Sequence, residues 1–243
     1  MPYWVIKLAF SILGFLRLDK QFDRLFWKLR GFRPTSRWHR EALEKAYTLA
    51  VHSGVAQQGD YYEFGVFKGY CLWYSQQLAK KYQLSMRFFG FDSFAGIPKP
   101  TSIDANGDFY EGQFACSKKQ VLKNIRRQGA DLSQITLVEG FFRTSLVPKV
   151  YKKYHMEKIA IALIDCDLYS STNDVLAFIK PLLQKNSILL FDDWNSFGGD
   201  PKKGQRRSVR EFMKRYPEIT FKRGFSFGWH GQMMLVVSVA TKS

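Results

Sequence analysis

Apolar residues recur along the chain in short continuous runs, separated by amphipathic stretches. Residues 60–66, 86–92, 135–139, 158–165 and 186–192 are such runs, the last two being the most strongly apolar. Runs of this kind suit strands covered on both faces, as in a parallel sheet. Between them, apolar positions at helical spacing predict helices over about 38–53, 70–82, 117–128 and 172–184, the first capped by Thr35 or Ser36. Strand alternating with helix at this rhythm predicts a doubly wound, Rossmann-like α/β domain. The end of the chain breaks the alternation. Residues 219–223 and 232–239 read as two strands joined by an aromatic, glycine-containing connection, with no helix between them. They are expected to pair antiparallel at a sheet edge. Segment 96–116 is long for a connector, and loops of that length tend to act as lids over a site.

Residues 3–16 are apolar apart from Lys7. The stretch is shorter than the roughly 20 residues a bilayer span needs. It also lacks the basic flank and small-residue cleavage site of a secretory signal. Leu18, Phe22, Leu25, Phe26 and Leu29 then share one helical face beside Arg17, Lys20, Arg24 and Lys28, which predicts a basic amphipathic helix. Such a helix can lie in the headgroup layer of an anionic membrane through residues 1–30, with Trp4, Phe22 and Trp27 as wedges. It can equally pack on its own domain or on a partner subunit. The expected organisation is a helical segment over 1–33 followed by one domain over 34–243.

A chain of 243 residues suits one sizeable domain, and 46% hydrophobic with 24% charged residues excludes a disordered chain. Cys71, Cys116 and Cys166 stand in no zinc-type spacing and point to a reduced, cytoplasmic setting. The net charge of +16 calls for an anionic neighbour, such as the inner membrane face or a phosphorylated or lipid-linked substrate. The basic run 202–222 is read either as a solvated helix or as a platform for such a substrate. Nucleic acid is disfavoured, because the aromatics are not interleaved with that charge. A homo-oligomer is the expected assembly.

Ligands of open α/β sheets bind beyond the carboxyl ends of the parallel strands. Those ends carry Glu63-Phe64-Gly65, Asp92-Ser93, Glu139-Gly140, Asp165-Cys166-Asp167 and Asp192-Asp193. Acids gathered at one rim repel one another, and a cation or ligand donors would offset that repulsion. Gly65 and Gly69 allow a tight turn and a close backbone approach. Asp92, at the end of the next strand, is placed to accept the hydroxyls of a ribose. This pattern fits a nucleoside-type cofactor, although it lacks the full dinucleotide glycine signature. Asp165, Asp192 and Asp193 are hard oxygen ligands that suit Mg²⁺ or another hard divalent cation. The alternative for Asp167 and Asp193 is a capping role. His39, His52, His155 and His230 show no metal-ligand spacing and read as ordinary polar residues, with His230 near enough to the sheet edge to reach a substrate.

The segments 60–69 (DYYEFGVFKG), 91–98 (FDSFAGIP), 164–172 (IDCDLYSST) and 190–194 (LFDDW) resemble the macrocin-type sugar O-methyltransferases. The resemblance covers about residues 58–235. It implies the class I methyltransferase fold, with seven strands and the last antiparallel, and S-adenosylmethionine and Mg²⁺ as cofactors. It further implies that Glu63, Gly65, Asp92 and Ser93 hold the cofactor, with Gly140 and Phe141 near its adenine. Asp165, Asp192 and Asp193 would hold the metal, with Asp165 also beside the cofactor, and Asp167 would be the general base. Ala95 and Cys71 depart from the family pattern without removing a ligand. The substrate implied is a sugar hydroxyl on a glycan, glycoconjugate or glycosylated metabolite. Two other readings compete: a glycosyltransferase holding a metal through Asp165-Cys166-Asp167, and a non-catalytic peripheral membrane protein.

Overall fold

The structure, a computed structural model, describes residues 19–29, 31–32, 37–104 and 109–239, except for the side chains of residues 19, 20, 24 and 27. The apolar stretch 3–16, Trp4, the Trp27 side chain and the proposed caps Thr35 and Ser36 lie outside this set. Helices α1 (Asp19–Leu29) and α2 (Trp38–His52) precede β1 (Asp60–Phe64), α3 (Tyr70–Lys81) and β2 (Phe88–Asp92). Then come α4 (Lys118–Arg127), β3 (Ile135–Glu139), the short helices α5 (Phe142–Ser145) and α6 (Lys149–Lys153), and β4 (Ile159–Ile164). The chain continues through α7 (Tyr169–Ile179), β5 (Ile188–Phe191), α8 (Gly204–Arg215), β6 (Ile219–Phe227) and β7 (Gly231–Val239).

The seven strands form one sheet in the order β3-β2-β1-β4-β5-β7-β6. Its first five are parallel, and β7 runs antiparallel to both β5 and β6. The hairpin is longer than the sequence suggests. Phe225 and Phe227, expected in the connection, continue β6 and leave a turn of only three residues, 228–230. The chain winds outward from β1 in one direction and from β4 in the other, so a crevice opens at the carboxyl ends of those two strands.

Successive residues of a strand face opposite sides, and the core divides accordingly. Tyr61, Phe88, Leu163 and Leu190 pack under α2 and α3, whereas Tyr62, Phe64, Phe89, Phe91 and Ile164 pack under α7 and α8. Phe64 and Phe91 are register partners across β1 and β2, with ring centroids 4.8 Å apart and planes 12° from parallel. Such a pair contributes about 0.5–1.5 kcal/mol beyond its buried area.

Three contacts hold the long loop and the N-terminal helix onto this frame. The loop closes on itself where Ile97 N donates to Gln113 O and Gly112 N donates to Ile97 O, both at 2.9 Å. Buried Asp104 accepts from Tyr169 N at 2.7 Å and from Ser170 Oγ at 2.6 Å, and so caps α7 from a distant part of the chain. Buried Asp23 of α1 accepts from Tyr110 Oη at 2.6 Å and from Gln113 Nε2 at 3.2 Å. α1 therefore packs on the loop of its own domain, while Leu25 and Leu29 stay exposed. Among the described residues no helix is long and apolar enough to cross a membrane. Removing a helix cap costs about 1–2 kcal/mol, so Asp104→Ala is expected to lower the melting temperature by about 2–8 °C. Differential scanning fluorimetry checks this, and an unchanged melting curve would deny Asp104 its anchoring role.

Candidate active site

A cavity of about 670 Å³ occupies the crevice at the carboxyl ends of β1 and β4. That size lies in the range of about 300–1,000 Å³ common to small-molecule sites. Glu63, Gly65, Asp92, Ser93, Phe141, Asp165, Asp167, Asp192 and Asp193 all line it. Two glycines expected there do not. Gly69 starts α3 at φ +88, and a Cβ on it would stand 2.7 Å from Ile125 Cγ2 of α4, so its bareness serves helix packing. Gly140 faces Ser145, whose Cβ lies 2.9 Å from where its own would be.

The cofactor-side acids differ in how free they are. Asp92 Oδ2 accepts from Val66 N at 2.7 Å and Phe67 N at 3.0 Å, and Oδ1 accepts from Phe94 N at 2.7 Å. Three of the roughly four lone-pair sites of this carboxylate are thus committed to shaping the loops after β1 and β2. It has room for about one ligand hydroxyl rather than two. Ser93 is engaged locally, its Oγ donating to Gly96 O at 2.7 Å. Glu63 is buried and accepts from Tyr61 Oη at 2.7 Å. Burial pushes its carboxyl up to about 8, against the opposing pull of Tyr61 and His39.

On the other wall, β4 and β5 deliver four aspartates. Asp167 adopts a left-handed backbone, φ +60, and its N–H donates to Asp193 Oδ2 at 2.9 Å. Asp193 Oδ1 in turn accepts from Ser196 Oγ at 3.3 Å. Gln205, fully buried on α8, ties the two strand ends together. Its Oε1 accepts from Asp193 N at 3.0 Å and its Nε2 donates to Ile164 O at 2.9 Å. Asp165 and Asp192 face each other with His39 of α2 beside both: His39 Nε2 lies 3.2 Å from Asp192 Oδ1 and 3.9 Å from Asp165 Oδ2. Burial, together with the charges of neighbouring aspartates, holds Asp165 and Asp167 well above the usual carboxylate range. Burial opposes a charge on His39, but Asp192, Asp165 and Glu63 outweigh it and raise the imidazole to about 10.

Spacing along the sequence marks His39 as ordinary, whereas the structure places it beside Asp165 and Asp192. A signal was there: His39 continues the stripe Ala42, Leu43, Ala46, Tyr47, Ala50 that α2 buries, a polar residue at the end of an apolar face. Asp104 and Gln205 carried no comparable signal. His230 lines the cavity, whereas His52 and His155 do not. In the basic run, Arg206 donates to Trp194 O and Gly199 O, and Arg207 pairs with Glu211 at 2.8 Å. These two are structural, which leaves Arg210, Lys214 and Arg215 as the exposed charges of α8.

The donor set fits a divalent cation. One imidazole and two carboxylates place ligand atoms within 4.8 Å of one another, and both His39 ring nitrogens are buried without a hydrogen-bond partner. Phe141 together with the Glu63 to Gly65 edge gives the cavity an apolar and an acidic wall, which suits a cationic nucleoside.

Residues 35–217 match the family model described as macrocin-O-methyltransferase (TylF). A mycinamicin III 3''-O-methyltransferase of Micromonospora griseorubida is 27% identical over 161 residues, 63% of this chain and 61% of that protein. An 8-demethyl-8-(2,3-dimethoxy-alpha-L-rhamnosyl)-tetracenomycin-C 4'-O-methyltransferase of Streptomyces olivaceus is 27% identical over 143 residues. That match covers 56% of this chain and 53% of the Streptomyces protein. The chain thus spans 61% and 53% of the lengths of these curated relatives. Among solved structures, the O-methyltransferase NovP superposes with a TM-score of 0.65 at 20% identity, covering 81% of this chain and 78% of that one. The calicheamicin methyltransferase CalS11 gives 0.62 at 23% identity, with 81% and 79% covered. Both share the fold described above.

Proposed function

The chain belongs to the macrocin-O-methyltransferase (TylF) family, and from that premise we propose that it is an S-adenosylmethionine-dependent, metal-assisted O-methyltransferase acting on a sugar hydroxyl. The observation that carries the reading is that one cavity is lined both by Glu63, Gly65, Asp92 and Phe141 and by Asp165, Asp167, Asp192 and Asp193. The names of the relatives support the substrate class, one of them acting on a rhamnosyl-bearing tetracenomycin. When bound, S-adenosylmethionine supplies an electrophilic methyl on a sulfonium centre, and a divalent cation supplies positive charge beside the acceptor oxygen.

The chain's own residues do the rest. Glu63, Gly65, Asp92, Ser93 and Phe141 bind the cofactor, with Asp92 offering one acceptor position to the ribose. Asp165, Asp192 and Asp193 are the candidate oxygen ligands of the cation. Asp167 takes the proton of the acceptor hydroxyl as that oxygen gains the methyl group, the methyl–sulfur bond breaking to leave a neutral thioether. Phe109 of the loop and Phe197 after β5, 5.7 Å apart, help shield the site from water. Leu25 and Leu29 on basic α1 support a further contact with an anionic surface, such as a membrane or a lipid-linked acceptor.

The test is calorimetric titration with S-adenosylmethionine, followed by mass spectrometry of a panel of sugar-bearing acceptors with and without a chelator. The expected result is cofactor binding, methyl transfer to at least one glycosylated acceptor, loss of transfer on chelation and recovery with a divalent ion. Absence of cofactor binding would overturn the methyltransferase reading, and full turnover in excess chelator would remove the metal from it.

A further inference from the structure

The four sequence segments that carry the resemblance contain the acids of this rim but not His39. It enters from α2, outside the sheet, yet it sits between Asp165 and Asp192. Neither buried ring nitrogen makes a hydrogen bond, although buried polar atoms nearly always have a partner. His39 Nε2 pairs with Asp192 Oδ1 at 3.2 Å, and an ion bound there would take the place of the Nε2 proton. Both separations fall within the span open to donors sharing an ion. Two ligand atoms each about 2.1 Å from a cation lie about 3.0 Å apart at a right angle and about 4.2 Å apart when opposite. His39 Nε2 is 3.2 Å and 3.9 Å from the two carboxylate oxygens. Asp193 is differently placed, since its oxygens accept from Asp167 N and Ser196 Oγ.

We propose that His39 Nε2 is a metal ligand alongside Asp165 and Asp192, and that the site therefore selects a nitrogen-accepting first-row ion such as Mn²⁺, Co²⁺ or Ni²⁺ over Mg²⁺. Imidazole nitrogen is a poor match for Mg²⁺, which is best served by carboxylate and water, and a better one for the later divalent ions. A donor fixed on a helix also ties α2 to the rim, so the ion would couple the segment before the sheet to the strand ends. The inference deepens the metal-assisted reading given above and rests on it.

The experiment needs no turnover. Chelator-treated protein is titrated calorimetrically with Co²⁺ and with Mg²⁺, as wild type and as His39→Ala and His39→Gln. The expected result is Co²⁺ binding at least about tenfold tighter than Mg²⁺ in the wild type. The variants should lose at least about tenfold in Co²⁺ affinity with little change for Mg²⁺, as expected when one ligand is removed. Pulsed electron paramagnetic resonance of Mn²⁺-loaded wild type should show coupling to an imidazole ¹⁴N, a readout that survives if the variants fold badly. Equal Co²⁺ affinity in wild type and variants, or an Mn²⁺ spectrum without ¹⁴N coupling, overturns the role of His39 and leaves an all-oxygen site standing. Failure of the wild type to bind either ion overturns the metal-assisted reading as well.

Discussion

Asp167→Asn is expected to cut methyl transfer by about 10²–10⁴-fold, the usual contribution of a general base, with S-adenosylmethionine affinity unchanged. The choice of asparagine follows from the backbone. Asp167 sits at φ +60, a region that Asn and Asp tolerate and Ala does not. Its N–H donates to Asp193 Oδ2 at 2.9 Å, a bond that survives any side-chain change. The substitution therefore keeps the turn and the cavity wall and removes only the ability to take a proton. The environment suits that task. Burial, then the charges of Asp193, Asp165 and Asp192, hold the Asp167 carboxyl well above its ordinary range, which makes its ionised form a stronger acceptor. The sign for activity follows: the protonated acid cannot accept, so turnover falls as pH drops through the range in which Asp167 takes up its proton. Asp167→Asn should lack this acid limb. Single-turnover rates across pH, beside calorimetric titration of the cofactor, check both halves. Wild-type turnover in the variant would remove Asp167 from the mechanism.

The parts of the fold legible in the sequence are those whose pattern is local. β4, Ile159–Ile164, is a continuous apolar run buried on both faces, and it lies within the expected 158–165. The rim acids were legible for the same reason, because a carboxylate that ends such a run has to emerge at the sheet's edge. Cofactor-side details were less so. Gly69 reads as part of a ligand turn, but the space its side chain would fill belongs to Ile125 and Val121, a helix that lies more than fifty residues further on. Asp92 stands at the expected strand end, yet three backbone amides claim its oxygens, and amides leave no trace in side-chain spacing. Asp104 and Gln205 show the general limit. Each works on a partner distant in the chain, Asp104 on Tyr169 and Gln205 on Ile164, so no local period announces it. The N-terminal helix is intermediate. Its amphipathic period was plain, but Asp23, an acid placed among basic residues, is what turns it toward Tyr110 and Gln113.

Gly65→Ala is expected to damage stability and cofactor binding together, and the reason separates it from other glycines. Gly65 follows β1 at φ +96, where an L side chain is strained by about 1–3 kcal/mol. Strain is only part of the cost. A Cβ there would lie 1.7 Å from the Asp165 carbonyl oxygen, a backbone atom that cannot swing aside. Relief requires β1 and β4 to part at their carboxyl ends, against the bond from Asp165 N to Phe64 O at 2.9 Å. Overpacking of this kind adds about 1–3 kcal/mol, for a combined loss of about 2–6 kcal/mol. At this chain length that corresponds to a melting-temperature drop on the order of 10 °C. Because Asp165 itself must move, the crevice loses its shape on the cofactor side and the metal side at once. Gly54→Ala is the control. Gly54 also has a positive φ, +75, but nothing lies within 4 Å of its would-be Cβ, so it should show the smaller cost of strain alone. Thermal unfolding and S-adenosylmethionine titration of both variants distinguish the two contributions. Equal losses in the two, with cofactor affinity retained in Gly65→Ala, would mean that close approach of the two strands does not shape the cofactor cleft.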